Sequence, residues 1–101
     1  MGSVTQAFEQ EFADYLNISH AIGLGNGTDA ITVALRAGGM LPGDEVITVS
    51  HTAVATIAAI ELSGATPVLV DIDPVRYTMD PQALLKAINE KSRAVVVVHL
   101  Y

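Results

Sequence analysis

The run Arg93-Ala94-Val95-Val96-Val97-Val98 limits the possible folds more than any other stretch of this chain. Successive side chains of a strand point to opposite faces, so a strand with one wet face alternates apolar and polar residues. This run does not alternate. Neither do Val46-Ile47-Thr48-Val49 and Thr66-Pro67-Val68-Leu69-Val70. Strands apolar on both faces belong to sheets covered on both faces, which are mostly parallel sheets in α/β layer folds. Pro67 stands near the start of its run, where a missing N–H is tolerated.

Helical patterns separate these runs. Residues 4–16 read as an amphipathic helix, with Phe8, Phe12, Tyr15 and Leu16 on one stripe. A short buried strand is predicted over 20–24. A second helix is predicted over 28–38, with Asn26 or Thr28 as its N-cap and Gly38-Gly39 as its stop. Strand 45–49, helix 52–63 and strand 66–71 follow, then a loop over 72–80. Asp80 caps a helix over 81–88 with Pro81 in its first position, and strand 93–98 comes last. The predicted order is α-β-α-β-α-β-α-β, a three-layer α/β fold around a mostly parallel or mixed sheet. Ligands of such sheets bind beyond the C-terminal ends of the strands. Here those places are residues 25–29, 50–56, 71–77 and 99–101.

The chain has 101 residues, half of them hydrophobic, which suits one small domain and not two. Its last predicted strand ends at the final residues with nothing to cover it, so the expectation is a single partial domain, 1–101, of a longer protein. The net charge of -6 speaks against a nucleic-acid surface and against a polybasic membrane segment. Cysteine is absent, which removes disulfides and thiolate metal sites. No apolar run could span a bilayer and no secretory signal is visible, so a cytoplasmic protein is expected.

Residues 23–29, Gly23-Leu24-Gly25-Asn26-Gly27-Thr28-Asp29, join an apolar run to a helix. Glycines at alternate positions allow close backbone approach, and the helix turns its free N–H groups and positive dipole end towards them. Three readings fit. A dinucleotide fingerprint needs a third glycine at 28, where Thr28 stands, and an acid at the end of the next strand, which closes Thr48-Val49-Ser50. A single phosphate could be held by the backbone of residues 27–29 and the Thr28 hydroxyl. The turn could also be purely structural. Ser50-His51-Thr52 follows a strand, and His51 has the chemistry to stack on a flat ligand or move a proton; the plainer reading makes Ser50 or Thr52 a helix cap. Asp71 and Asp73 could bind a metal or form a turn, and no third ligand accompanies them. His99 ends the last strand and could reach the same region, whereas His20 reads as structural. Lys86 and Lys91 fall outside the strand-end loops.

Taken together, several motifs resemble one family. Phe8-Glu9-Gln10-Glu11-Phe12-Ala13, Asn26-Gly27-Thr28-Asp29-Ala30, Pro42-Gly43-Asp44-Glu45-Val46-Ile47, Thr52-Ala53-Val54-Ala55-Thr56, Gly64-Ala65-Thr66-Pro67-Val68 with Val70-Asp71, and Val98-His99-Leu100-Tyr101 occur in this order. That ordered set is similar to the DegT/DnrJ/EryC1/StrS aminotransferases, and Ser50-His51-Thr52-Ala53-Val54-Ala55-Thr56 is most similar to members aminating 3-keto-deoxyhexoses linked to dTDP. The resemblance implies part of the large domain of a fold-type-I enzyme dependent on pyridoxal 5'-phosphate. It implies transamination of a nucleotide-linked keto-sugar with an amino-acid donor, glutamate by family habit, in a homodimer. It implies cofactor binding by Gly27, Thr28 and Asp29. The family places an aromatic ring where Ala53 stands, which leaves His51 as the substitute for stacking on the cofactor ring. The lysine that holds the cofactor covalently and the Asp that pairs with its ring nitrogen are not in this chain, so the chain alone is expected to be inactive. A non-catalytic interaction module and a dinucleotide-binding domain are the alternatives.

Overall fold

The computed structural model describes residues 2–101. Helix α1 spans Ser3–Leu16, α2 Gly27–Ala37, β1 Glu45–Val49, α3 Val54–Ser63, β2 Thr66–Val70, α4 Pro81–Ala87 and β3 Ser92–Val95. The three strands form a parallel sheet in the order β2-β1-β3.

Strand β1 is central and explains the apolar pattern. Val46, Ile47, Thr48 and Val49 are all buried. Val46 packs with Leu35 of α2, Ile60 of α3 and Ala65 on one face. Ile47 and Val49 pack with Val70 and Met79 on the other, flanked by Ala83, Leu84 and Ala87 of α4. Helices therefore cover both faces, giving the three layers expected. The crossover through α3 runs from β1 to β2, and the one through α4 runs back across β1 to β3. Crossovers of one hand that travel in opposite directions put their helices on opposite faces.

The caps of α2 and α4 fall among the residues expected. The Asn26 side chain, not that of Thr28, caps α2 by accepting from the Asp29 N–H. Asp80 caps α4 with Pro81 in the first turn. Gly64 adopts a left-handed conformation, φ 98°, that closes α3. Asn17 does the same for α1 at φ 54°.

Three expectations fail. Residues 20–24 form no strand. A strand exists through a ladder, and residues 20–24 pair with neither open edge of the β2-β1-β3 sheet, while Ile22 and Leu24 remain exposed. The element order is accordingly α-α-β-α-β-α-β. The last strand closes at Val95 rather than Val98. Val96 still donates to the Ile47 carbonyl, but its own carbonyl accepts from the Thr48 hydroxyl in place of a ladder N–H. Helix α3 starts at Val54 rather than at residue 52, with Ala53 as an N-cap that offers no side-chain acceptor. The outer strands are also less covered than their apolar sequences suggest, since Leu69 and Val95 are about half exposed.

Candidate functional site

The glycine-rich turn is built differently from its reading in sequence. None of Gly23, Gly25 and Gly27 has the left-handed backbone that only glycine accepts easily. Gly23 serves a close approach instead: its N–H donates to Glu9 Oε1 at 2.6 Å, and an added Cβ would come within 3.1 Å of that oxygen. This glycine docks the turn on α1. Gly27 is the opposite case. A Cβ there would meet nothing within 4 Å, so the first residue of α2 lies bare to whatever approaches.

Beside it, Asn26 and Asp29 form a reciprocal box. Asn26 Oδ1 accepts from the Asp29 N–H, and Asn26 Nδ2 donates to Asp29 Oδ2, both at 2.9 Å. The Asp29 carboxylate is thereby turned to the cap, and its charge favours the helix N-terminus. Among the described residues, the N–H groups of Gly27 and Thr28 and the Thr28 hydroxyl donate to no protein acceptor. Three donors thus converge on one exposed turn at the positive end of an 11-residue helix. Residues 23–32 and 50–56 contain no Lys or Arg, so an anion here is met by backbone dipoles rather than by cations. A phosphate monoester, with several acceptor oxygens on one centre, fits that donor set.

Helix packing decides where this turn lies. Thr32 of α2 bonds the Ala59 carbonyl of α3, and Arg36, one turn on, bonds the Leu62 carbonyl. Contacts that advance together along both helices make α2 and α3 parallel. Helix α3 begins directly after the C-terminal end of β1, so the N-terminus of α2 sits at that same edge of the sheet. His51 belongs to the loop between β1 and α3 and is exposed. Its Nε2 lies 3.3 Å from the Tyr101 hydroxyl, and the two rings are tilted by 37° at 5.9 Å. Tyr77 meets Tyr101 edge-on at 6.0 Å. The segments following all three strands therefore contribute one aromatic cluster. The Thr52 hydroxyl bonds that of Thr56 at 2.8 Å, and neither Ser50 nor Thr52 caps α3.

The remaining candidates lie apart. Asp73 accepts from the N–H groups of Val75 and Arg76 at 2.8 and 2.9 Å and so folds its own loop. Those N–H groups, that of Arg76 first, hold its carboxyl below the ordinary value of 3.8. Asp71 lines an open cleft of about 510 Å³ between β2 and α4, with Asp80 and Lys86. His20 borders a smaller cleft against α1, and His99 is exposed. Among the described residues no group of three or more His, Asp or Glu is placed to hold a metal, and no helix is long and apolar enough to cross a membrane. Sequence reasoning missed Tyr77, whose φ of 57° no residue pattern announces. It also missed Thr32, which reads there as an ordinary helix residue.

Known proteins share this architecture. Residues 1–101 match the model of the DegT/DnrJ/EryC1/StrS aminotransferase family. A pleiotropic regulatory protein of Geobacillus stearothermophilus is 48% identical over the whole chain. The dTDP-3-amino-3,4,6-trideoxy-alpha-D-glucose transaminase of Streptomyces venezuelae is 46% identical. In each case the match covers 100% of this chain and 27% of the relative, so the chain spans about a quarter of the length of its curated relatives. Among solved structures, S. venezuelae DesV in complex with a ketimine intermediate superposes with a TM-score of 0.94 at 46% identity, over 100% of this chain and 27% of that one. NtdA of Bacillus subtilis, with bound cofactor PMP, gives 0.95 at 38% identity, over 100% and 23%.

Proposed function

This chain belongs to the DegT/DnrJ/EryC1/StrS aminotransferase family, and from that premise we propose that it forms part of a longer enzyme that transaminates a nucleotide-linked keto-sugar with pyridoxal 5'-phosphate. The reaction takes place in the cytoplasm, in a homodimer, with an amino acid as donor. One observation carries the reading: the unengaged Gly27 and Thr28 donors face a turn that helix packing brings to the sheet edge holding His51.

When bound, the cofactor supplies an electron sink for proton movement at the amino-bearing carbon. This chain's residues bind and orient it. The N–H groups of Gly27 and Thr28 and the Thr28 hydroxyl donate to the phosphate oxygens, and the bare α-carbon of Gly27 admits them. Asn26 and Asp29 keep the turn rigid through their reciprocal cap, and Asp29 stands beside the phosphate as part of that cap. His51 offers a ring to the pyridine face, where Ala53 offers none. Its Nε2 contact with Tyr101 limits rotation of the imidazole.

The test is product formation. The full-length protein, supplied with cofactor, glutamate and a 3-keto-deoxyhexose linked to dTDP, is expected to yield the amino sugar by mass spectrometry, and the 101-residue chain alone none. No amino sugar from the full-length protein across dTDP-, UDP- and GDP-linked keto-sugars with glutamate or glutamine would refute the reading.

A further inference from the structure

Thr32 is a buried hydroxyl-bearing residue that offers no donor to a ligand at the turn itself. Its Oγ1 lies 2.9 Å from the Thr28 carbonyl and 3.2 Å from the Ala59 carbonyl. One hydroxyl hydrogen is thus shared between the first turn of α2 and the middle of α3. Both carbonyls sit inside helices and have i+4 N–H partners of their own. The hydroxyl therefore rescues no stranded acceptor, and a valine of the same shape would fill the same space without burying a polar group. Filling space alone does not account for a hydroxyl here.

Position does. Apolar helix faces tolerate small axial slips, whereas a directional bond fixes one register. The fixed end is the turn that presents Gly27 and Thr28. The element it is fixed to, α3, follows the loop that carries His51. We propose that Thr32 is a positioning residue for cofactor binding: its bridge from the Thr28 carbonyl to the Ala59 carbonyl sets the separation between the phosphate-binding turn and the ring-stacking loop. This rests on the cofactor reading above. A molecule that must engage both places at once feels a slip between them, while one that engages only the ring does not.

The experiment compares Thr32→Val and Thr32→Ser in the full-length protein. Equilibrium dissociation constants are measured for pyridoxal 5'-phosphate and for pyridoxal, which lacks the phosphate, together with the thermal midpoint without cofactor. For Thr32→Val the preference for pyridoxal 5'-phosphate over pyridoxal is expected to fall roughly three- to tenfold, the value of one hydrogen bond, with the midpoint nearly unchanged. Thr32→Ser keeps the hydroxyl and restores the preference to within about twofold. An unchanged preference in Thr32→Val overturns the proposal. So does an equal loss in both variants that follows the midpoint, since that is the mark of a packing role. If the wild-type protein shows no preference at all, the cofactor reading fails and this proposal with it. If the wild type shows one that Thr28→Val reduces and Thr32→Val does not, only the positioning role fails.

Discussion

Single side chains do more than one kind of work around this sheet. Asn26 and Asp29 cap a helix and, by taking up the Asp29 N–H, leave those of Gly27 and Thr28 free for a ligand. Asp73 spends its carboxylate on two backbone N–H groups of its own loop. Its ion pair with Arg76, at 3.6 Å and largely exposed, adds little beside them. A carboxyl held below 3.8 contributes stability that is fully present above that pH and is lost as the pH falls through the lower, folded value. Lowering the pH from about 5 to about 2 is therefore expected to shift the Val75 and Arg76 amide signals together, with a midpoint below the ordinary value. NMR titration of the loop checks this. A midpoint at or above 3.8, or one unaltered in Asp73→Asn, would contradict it. Glycine was the least reliable guide at this scale. Three alternate glycines suggested one phosphate turn, yet Gly23 makes room for Glu9, and of the three only Gly27 has nothing within 4 Å of where a Cβ would stand.

At the scale of elements, local signals were legible and pairings were not. Asp80 with Pro81 announced the start of α4 because a cap acts within a few residues. Residues 20–24 have the apolar character of a strand without the partner that makes one. Residues 96–98 carry the valines of a strand, but the Thr48 hydroxyl takes the Val96 carbonyl. The parallel run of α2 beside α3, which gives the site its place, is set by Thr32 and Arg36 reaching carbonyls more than twenty residues away, and no spacing rule contains it. Helix α1 shows what periodicity leaves out. Its stripe is real, but Phe8 and Phe12 are 60% and 44% exposed and stack on each other rather than on a core. Phe8→Ser is accordingly expected to cost the 101-residue chain less than about 1 kcal/mol in urea unfolding. A loss of about 3 kcal/mol or more, the scale of a buried aromatic, would show a packing partner for that ring.

Across the whole molecule, β1 is the organiser. Its two buried faces hold α2 and α3 on one side and α4 on the other, and the order β2-β1-β3 brings the segments after all three strands to one edge. There His51, Tyr77 and Tyr101 make an aromatic cluster, and at the α2 N-terminus the N–H groups of Gly27 and Thr28 donate to no acceptor among the described residues, with no Lys or Arg among residues 23–32. Of the motifs that resembled the family, those at residues 26–30, 52–56 and 98–101 fall at or beside this edge, while those at 8–13, 42–47 and 64–68 lie in α1 and at the starts of β1 and β2. The central claim is that residues 27 and 28 hold the cofactor's phosphate. Pyridoxal 5'-phosphate and pyridoxal share one ring, so the ratio of their dissociation constants isolates the phosphate. In the full-length protein that ratio is expected to favour pyridoxal 5'-phosphate by roughly a hundredfold or more, and Thr28→Val to reduce it about tenfold, the worth of one charge-assisted hydrogen bond. A ratio near one in the wild type, or one that Thr28→Val leaves unchanged, would contradict the account.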